Sequence, residues 1–177
     1  MARNVEIKAR VDDLDAIARK AAALCTEGPI EIVQDDTFFA CAPGRLKLRT
    51  FSPERGELIF YQRADARGPK ESFYLRSPTT VPEALREVLT LACGTSGRVR
   101  KHRTLYLAGR SRIHLDRVDG LGDFVEIEVV LGDGDDAEGG VREARELMAR
   151  LGIDGSRLVA GAYVDLLDGA LPRKRES

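Results

Sequence analysis

Residues 4–11, NVEIKARV, alternate without a break between polar side chains (Asn4, Glu6, Lys8, Arg10) and apolar ones (Val5, Ile7, Ala9, Val11). A period of two puts the two sets on opposite faces of an extended chain, so the segment predicts a β-strand with one charged face. The period then changes. Leu14, Ile17, Ala18, Ala21 and Leu24 recur at helical spacing behind an Asp12 or Asp13 cap, and Gly28-Pro29 is expected to end that helix. Alternation returns at 30–39, 45–51, 57–64 and 70–76, with turn chemistry at Ala42-Pro43-Gly44, from Ser52-Pro53 to Gly56, and at Arg67-Gly68-Pro69. A second helix is predicted over 81–92, with Pro82 in the first turn, Leu85, Val88, Leu89 and Ala92 on one face, and Gly94 as the stop. Strands resume at 98–108, 110–116 and 123–131. The Gly-rich acidic stretch 132–140 reads as a loop and 141–151 as a third helix ended by Gly152. Leu158, Val159, Tyr163, Leu166 and Leu167 suggest one last helix from a Ser156 cap.

Eight antiparallel strands with interspersed helices allow an open sheet, a sandwich or a barrel, and the alternation helps to choose. One face of each strand collects Glu6, Lys8 and Arg10; Arg45, Lys47 and Arg49; Arg63; Lys70 with Ser72; Lys101 and Arg103; Arg112, His114 and Asp116; Glu126 and Glu128. A single charged face ordinarily turns to solvent. Repeated on strand after strand and turned inward, these faces would enclose about ten cations and four carboxylates in a barrel. Such crowding of like charge is tolerable only when water, a polyanion or divalent ions screen it. Lys and Arg donors around a wet tunnel suit the oxygens of a polyphosphate, Arg gripping two at once. Glu126 and Glu128, two apart on one strand, point the same way and can hold Mg²⁺ or Mn²⁺, hard cations that prefer oxygen.

Composition narrows the remaining classes. The chain has 177 residues, 43% hydrophobic and 32% charged, which excludes disordered, collagenous and membrane-helical types. A single domain over 1–171 is expected, with 172–177, PRKRES, as a solvated basic tail. A formal net charge of -1 gives the whole chain no electrostatic reason to bind nucleic acid or an anionic membrane, and few aromatics interleave with the basic strand faces. There is no GxxxxGK[ST] phosphate loop and no GxGxxG fingerprint. Cys25, Cys41 and Cys93 lack CxxC spacing and read as reduced thiols. The charged start, MARNVEIKAR, is unlike a secretory leader, so a cytoplasmic location is expected.

The ordered series Asn4-Val5-Glu6-Ile7-Lys8, Gly44-Arg45-Leu46-Lys47-Leu48-Arg49, Arg63, Lys70-Glu71-Ser72, Lys101-His102-Arg103, His114-Leu115-Asp116 and Gly122-Asp123-Phe124-Val125-Glu126-Ile127-Glu128 resembles the CYTH superfamily. That group is named for class IV (CyaB-type) adenylyl cyclases and thiamine triphosphatases, and its N-terminal motif is ExExK. The resemblance implies an α+β fold, a closed eight-stranded antiparallel barrel forming a triphosphate tunnel with helices packed outside. It implies triphosphate contacts from Lys8, Arg45, Lys47, Arg49, Arg63, Lys70, Lys101 and Arg103. It also implies metal ligation by Glu6, Glu126 and Glu128, with Asp116 a further ligand or the support of one, and catalytic roles for Glu6, Lys8 and Asp116. Arg10 and Arg112 share the register but fit a salt bridge equally well. By parity Glu71 and His102 face outward, while His114 shares the face of Asp116.

One residue departs from the motif. Asn4 stands where ExExK has its first Glu, which removes a charge and leaves an amide oxygen, a weaker ligand than a carboxylate. The function expected is that of a divalent-metal-dependent enzyme, using Mg²⁺ or Mn²⁺, that hydrolyses an organic triphosphate such as a nucleoside or thiamine triphosphate. Cyclisation of ATP to cyclic AMP and pyrophosphate is the alternative, and a polyphosphate-binding module without turnover is a third. The expected partner is a small-molecule triphosphate, not nucleic acid or membrane, and a homodimer is left open.

Overall fold

In the computed structural model, which describes residues 2–42 and 44–170, the polar faces of the strands do turn inward. The strands are β1 (Ala2–Arg10), β2 (Glu27–Phe39), β3 (Arg45–Ser52), β4 (Arg55–Arg63), β5 (Lys70–Thr79), β6 (Thr95–Ala108), β7 (Ser111–Val118) and β8 (Gly122–Leu131). The helices are α1 (Leu14–Leu24), α2 (Pro82–Cys93), α3 (Ala137–Leu151) and α4 (Tyr163–Ala170). All eight strands pair antiparallel in the closed order β1-β5-β4-β3-β2-β6-β7-β8, with β8 returning to β1 through Glu6↔Glu128 and Lys8↔Glu126. Closure joins each strand to a neighbour on both sides and forces every strand to divide its side chains between lumen and exterior.

Which face goes inside is set by the helices. Val5, Ile7 and Ala9 of β1, Ile113 and Leu115 of β7, and Val125, Ile127 and Val129 of β8 form the outer wall, buried under Leu14, Ile17 and Ala21 of α1 and Ala144, Leu147 and Leu151 of α3. Fully burying each such aliphatic side chain stabilises the fold by about 1.5–3 kcal/mol, so the apolar face faces the helices and the alternating charged face is left to the lumen. A second cluster, with Phe38, Tyr61, Val99, Phe124, Tyr163 and Val164, closes one end of the barrel.

Three local expectations need correcting. Helix α1 ends at Leu24, capped by Asp13 at its start, and Gly28-Pro29 lies inside β2 instead of ending the helix. The stretch 132–140 is not wholly loop, because Asp136 accepts a bond from the Gly139 amide and starts α3 at Ala137. The last helix is not continuous from Ser156. A short 3-10 turn at Gly155–Arg157 leads into an extended piece, and α4 begins only at Tyr163. The cause is an unfilled position on β1, whose pairing with β5 stops at Glu6↔Lys70. Beyond it the Val159 amide donates to the Lys8 carbonyl at 2.9 Å, and Leu158 bridges to Ala9. Gly161, at φ +80, then turns the chain toward the lumen, a conformation that side chains rarely adopt.

Cys25, Cys41 and Cys93 are free thiols. Among the described residues no helix is long and apolar enough to cross a membrane. The basic tail read at 172–177 lies outside the described residues.

Candidate functional site

The lumen is a cavity of about 720 Å³, and its lining includes nine Lys or Arg side chains against six Asp or Glu. Asn4, Glu6 and Lys8 reach it from β1, Lys47 and Arg49 from β3, Arg63 from β4, Lys101 and Arg103 from β6, and Glu126 and Glu128 from β8. The cations are organised by buried acids. Asp36 of β2 binds Lys47 Nζ at 2.8 Å and takes Arg49 as a fork, Nε at 2.7 Å and Nη2 at 2.8 Å. On the neighbouring strand pair Asp116 of β7, with no solvent exposure, does the same with Arg103 (Nε 2.6 Å, Nη2 2.6 Å) and Lys101 (3.1 Å) of β6. The Tyr163 hydroxyl adds a fourth bond to Asp116 at 2.9 Å.

These groups shape each other's charge. Burial pushes the Asp36 and Asp116 carboxyls up, but Arg49 with Lys47, and Arg103 with Lys101, outweigh it and hold both well below the usual carboxylate range. The lysines give way in the other direction. Burial, then the neighbouring guanidinium, pushes Lys47 down to about 8 and Lys101 to about 7. Arg103 also reaches Glu126 at 2.6 Å, and Lys8 approaches the same carboxylate at 3.3 Å. Lys8 lies over the Tyr163 ring at 3.9 Å and donates to the Gly161 carbonyl at 3.2 Å, an oxygen that also accepts from Arg63. The turn at Gly161 thus ties the C-terminal segment to two lumen cations.

Metal-ligating atoms gather on the β7–β8 wall. His114, Glu126 and Glu128 each offer one within 4.8 Å of the others. Burial, then Arg103, pushes His114 down to about 4, so the ring is an uncharged imidazole. Burial pushes the Glu128 carboxyl up, yet the His114 ring, once it takes a proton in acid, and the Arg103 guanidinium keep it below its usual value. Two buried polar atoms bordering this wall, Asn4 Oδ1 and His114 Nδ1, have no hydrogen-bond partner. Two carboxylates and an imidazole form a donor set that fits a divalent cation, and the orphaned Asn4 amide oxygen lines the same cavity.

The residues singled out in the sequence do not all meet at this point. Glu6 faces Glu128 across the strand pair, but Arg63 binds its carboxylate. Asp116 is occupied by Arg103, Lys101 and Tyr163 and stays apart from the donor group. Arg45 lies off the main cavity, bridging Asp65 at 3.0 Å and Asp165 at 2.7 Å. Lys70 is buried beside Glu6 in register and donates to the Ala66 carbonyl at 3.2 Å. Arg10 lies over the Phe124 ring, and Arg112 pairs with Glu128 at 3.6 Å. Glu71 and His102 face outward, Glu71 held by Arg3 and His102 near Glu31.

Asp36 and Tyr163 were not anticipated in these roles. Asp36 follows Asp35 and Gln34, so charge alone does not say which neighbour faces in; the apolar Phe38 two residues on shares its lumen face and was the available signal. Tyr163 opens α4, and Gly161 just before it is the sequence cue that the helix expected from Ser156 breaks there.

The family model for the CYTH domain matches residues 2–163. An adenylate cyclase CyaB from Aeromonas hydrophila is 26% identical over 180 aligned residues, covering 97% of this chain and 92% of its own. A solved structure from Pyrococcus horikoshii is 26% identical with a TM-score of 0.82 and covers 93% of this chain and 99% of its own. A Hippeastrum protein described as having a dominant triphosphatase activity is 14% identical with a TM-score of 0.68, over 98% of both chains, a likeness of fold. The closed barrel, its inward charges and a family match over nearly the whole chain agree, and the chain belongs to the CYTH family.

Proposed function

We propose that the chain is a divalent-metal-dependent enzyme that hydrolyses an organic triphosphate, nucleoside or thiamine-like. The observation that carries this reading is the lumen itself, where Lys8, Lys47, Arg49, Arg63, Lys101 and Arg103 surround one cavity and His114, Glu126 and Glu128 stand together on its wall. Arg49 and Arg103, oriented by their forked bonds to Asp36 and Asp116, present fixed donors to phosphate oxygens, and preorganised donors stabilise charge that develops during transfer. Lys70, buried beside Glu6, and Arg45 at the α4 end extend the basic surface. In this reading Lys8 balances charge passing to the leaving oxygen, and Glu6, held by Arg63, orients the attacking water. Asp116 acts through Arg103 and Lys101. Mg²⁺ or Mn²⁺ held by Glu126 and Glu128, with Glu6 opposite, would supply charge neutralisation and polarise the reacting phosphoryl group.

Ile30, Ile32, Leu105 and Leu107 line the same cavity and give an aliphatic wall that favours an organic substituent over inorganic triphosphate. Attack by water needs no nucleoside held in one orientation, whereas cyclisation needs a ribose hydroxyl placed at the phosphorus, and this favours hydrolysis. Cyclisation of ATP is the second reading, supported by the likeness to the Aeromonas hydrophila cyclase over 97% of the chain. Product analysis separates them. The protein is incubated with ATP, GTP, thiamine triphosphate or tripolyphosphate and Mg²⁺ or Mn²⁺. A diphosphate with phosphate supports hydrolysis, cyclic AMP with pyrophosphate supports cyclisation, and no product from any substrate overturns the enzymatic reading.

A further inference from the structure

His114 is one of two histidines in the chain, and it is 4% exposed on the lumen face of β7. Its Nδ1 has no hydrogen-bond partner and lies 3.7 Å from Glu128 Oε1, too far for a hydrogen bond. Leaving a buried polar atom unpaired costs about 1–3 kcal/mol, so the position calls for an explanation. The ring lies against two carboxylates, each with one oxygen in the same 4.8 Å group. Ligands about 2.0–2.2 Å from one ion stand roughly 3 to 4 Å apart, so small side-chain rotations would bring nitrogen and both oxygens onto a single cation.

We propose that His114 is a nitrogen ligand of the lumen metal, together with Glu126 and Glu128, and that it makes the site select first-row transition ions such as Mn²⁺, Co²⁺ or Zn²⁺ over Mg²⁺. Mg²⁺ demands a near-octahedral oxygen shell, whereas an imidazole nitrogen suits the transition series, whose affinity for mixed nitrogen and oxygen sites rises from Mn²⁺ through Co²⁺. The inference rests on the proposed metal-dependent function and adds to it the ligand that decides which ion is taken.

The test uses the full chain without substrate and Co²⁺ as the probe. Visible absorption follows Co²⁺ binding, competition gives Mg²⁺ affinity, and His114→Gln and Glu128→Gln are compared with wild type. His114→Gln should lose at least tenfold in Co²⁺ affinity with Mg²⁺ affinity unchanged, since losing even a partner that supports a ligand costs about 10- to 100-fold. Glu128→Gln should weaken both ions. Proton NMR of the Co²⁺-loaded wild type needs no variant to fold. A coordinated imidazole shows ring signals displaced far outside the ordinary range, and those of His114 should move while those of His102 do not. Equal Co²⁺ affinity in wild type and His114→Gln, or undisplaced His114 signals, overturns the inference. Titration with tripolyphosphate tests the underlying reading separately. If tripolyphosphate binds while His114 proves indifferent to Co²⁺, only this inference falls; if wild type binds neither Co²⁺ nor tripolyphosphate, the proposed function falls and takes the inference with it.

Discussion

Asp116 shows what a single buried charge does in this fold. Its carboxylate accepts from Arg103, Lys101 and Tyr163 with no access to water, so Asp116→Asn keeps the shape and strands two cations. Breaking such a pair by removing one partner costs about 3–5 kcal/mol, and urea unfolding should show a loss of that size. A loss below about 1 kcal/mol, the worth of an exposed pair, would mean that the cations find other partners. The pH dependence has a definite sign. Because the folded carboxyl is held below its unfolded value of about 3.9, its contribution is present above that pH and lost as pH falls further, a loss the Asn variant should not show. At position 4 the change runs the other way. Asn4→Glu restores the acid absent from the motif at a position whose present amide oxygen has no hydrogen-bond partner, and calorimetry should find tighter divalent-ion binding with triphosphate affinity nearly unchanged. Unchanged metal affinity would place residue 4 outside the ion's reach.

Among the elements, α3 tests how closely helix and barrel wall fit. Gly140 lies in its first turns, where Ala would ordinarily favour the helix by about 0.8–1.0 kcal/mol. A Cβ there would meet Val5 Cγ2 at 2.8 Å and Leu131 Cδ2 at 3.0 Å, both on fully or nearly buried strand residues. Overpacking of that kind costs about 1–3 kcal/mol, so the clash wins and Gly140→Ala should lower the melting temperature; a rise would show that α3 can shift outward. The same scale shows what the sequence disclosed. The strict alternation of β1 revealed the inward set Asn4, Glu6 and Lys8 because apolar and polar positions never mix there. In β2 the adjacent Asp35 and Asp36 hid the one that mattered, and only three-dimensional pairing with Lys47 and Arg49 distinguishes it. The break before α4 was hidden for a different reason. Residues 158–159 are extended because β1 lacks a neighbour beyond Glu6, a vacancy created by strands distant in sequence. His114 was visible as a lumen residue, but its approach to Glu128 depends on the register of β7 against β8.

For the molecule as a whole, buried lysines couple stability and binding to pH in opposite senses. Lys47 and Lys70 are both pushed down to about 8, first by burial and then by neighbouring cations, from an unfolded value of about 10.4. Between those values the unfolded chain binds more protons, so stability should rise with pH across that window. Binding of an anion should weaken over the same range as the two charges disappear. Melting curves and titrations with a non-hydrolysable nucleoside triphosphate, whose terminal phosphate is already fully ionised there, would check both slopes. Parallel slopes would show that these lysines do not face the ligand.

Asp36 and Asp116 have a further consequence for what the barrel will accept. They are counter-ions built into the chain, each holding a lysine and an arginine at the lumen wall. An entering anion does not fill vacant sites. It exchanges with carboxylates that cannot leave, and must outbid them at several cations together. A monophosphate can engage only a few of those cations at once, whereas a chain of phosphates can span both clamps, which lie side by side along β3, β2, β6 and β7. The barrel therefore works as an ion exchanger with a threshold, rejecting the small anions abundant around it by the strength of its own internal salt.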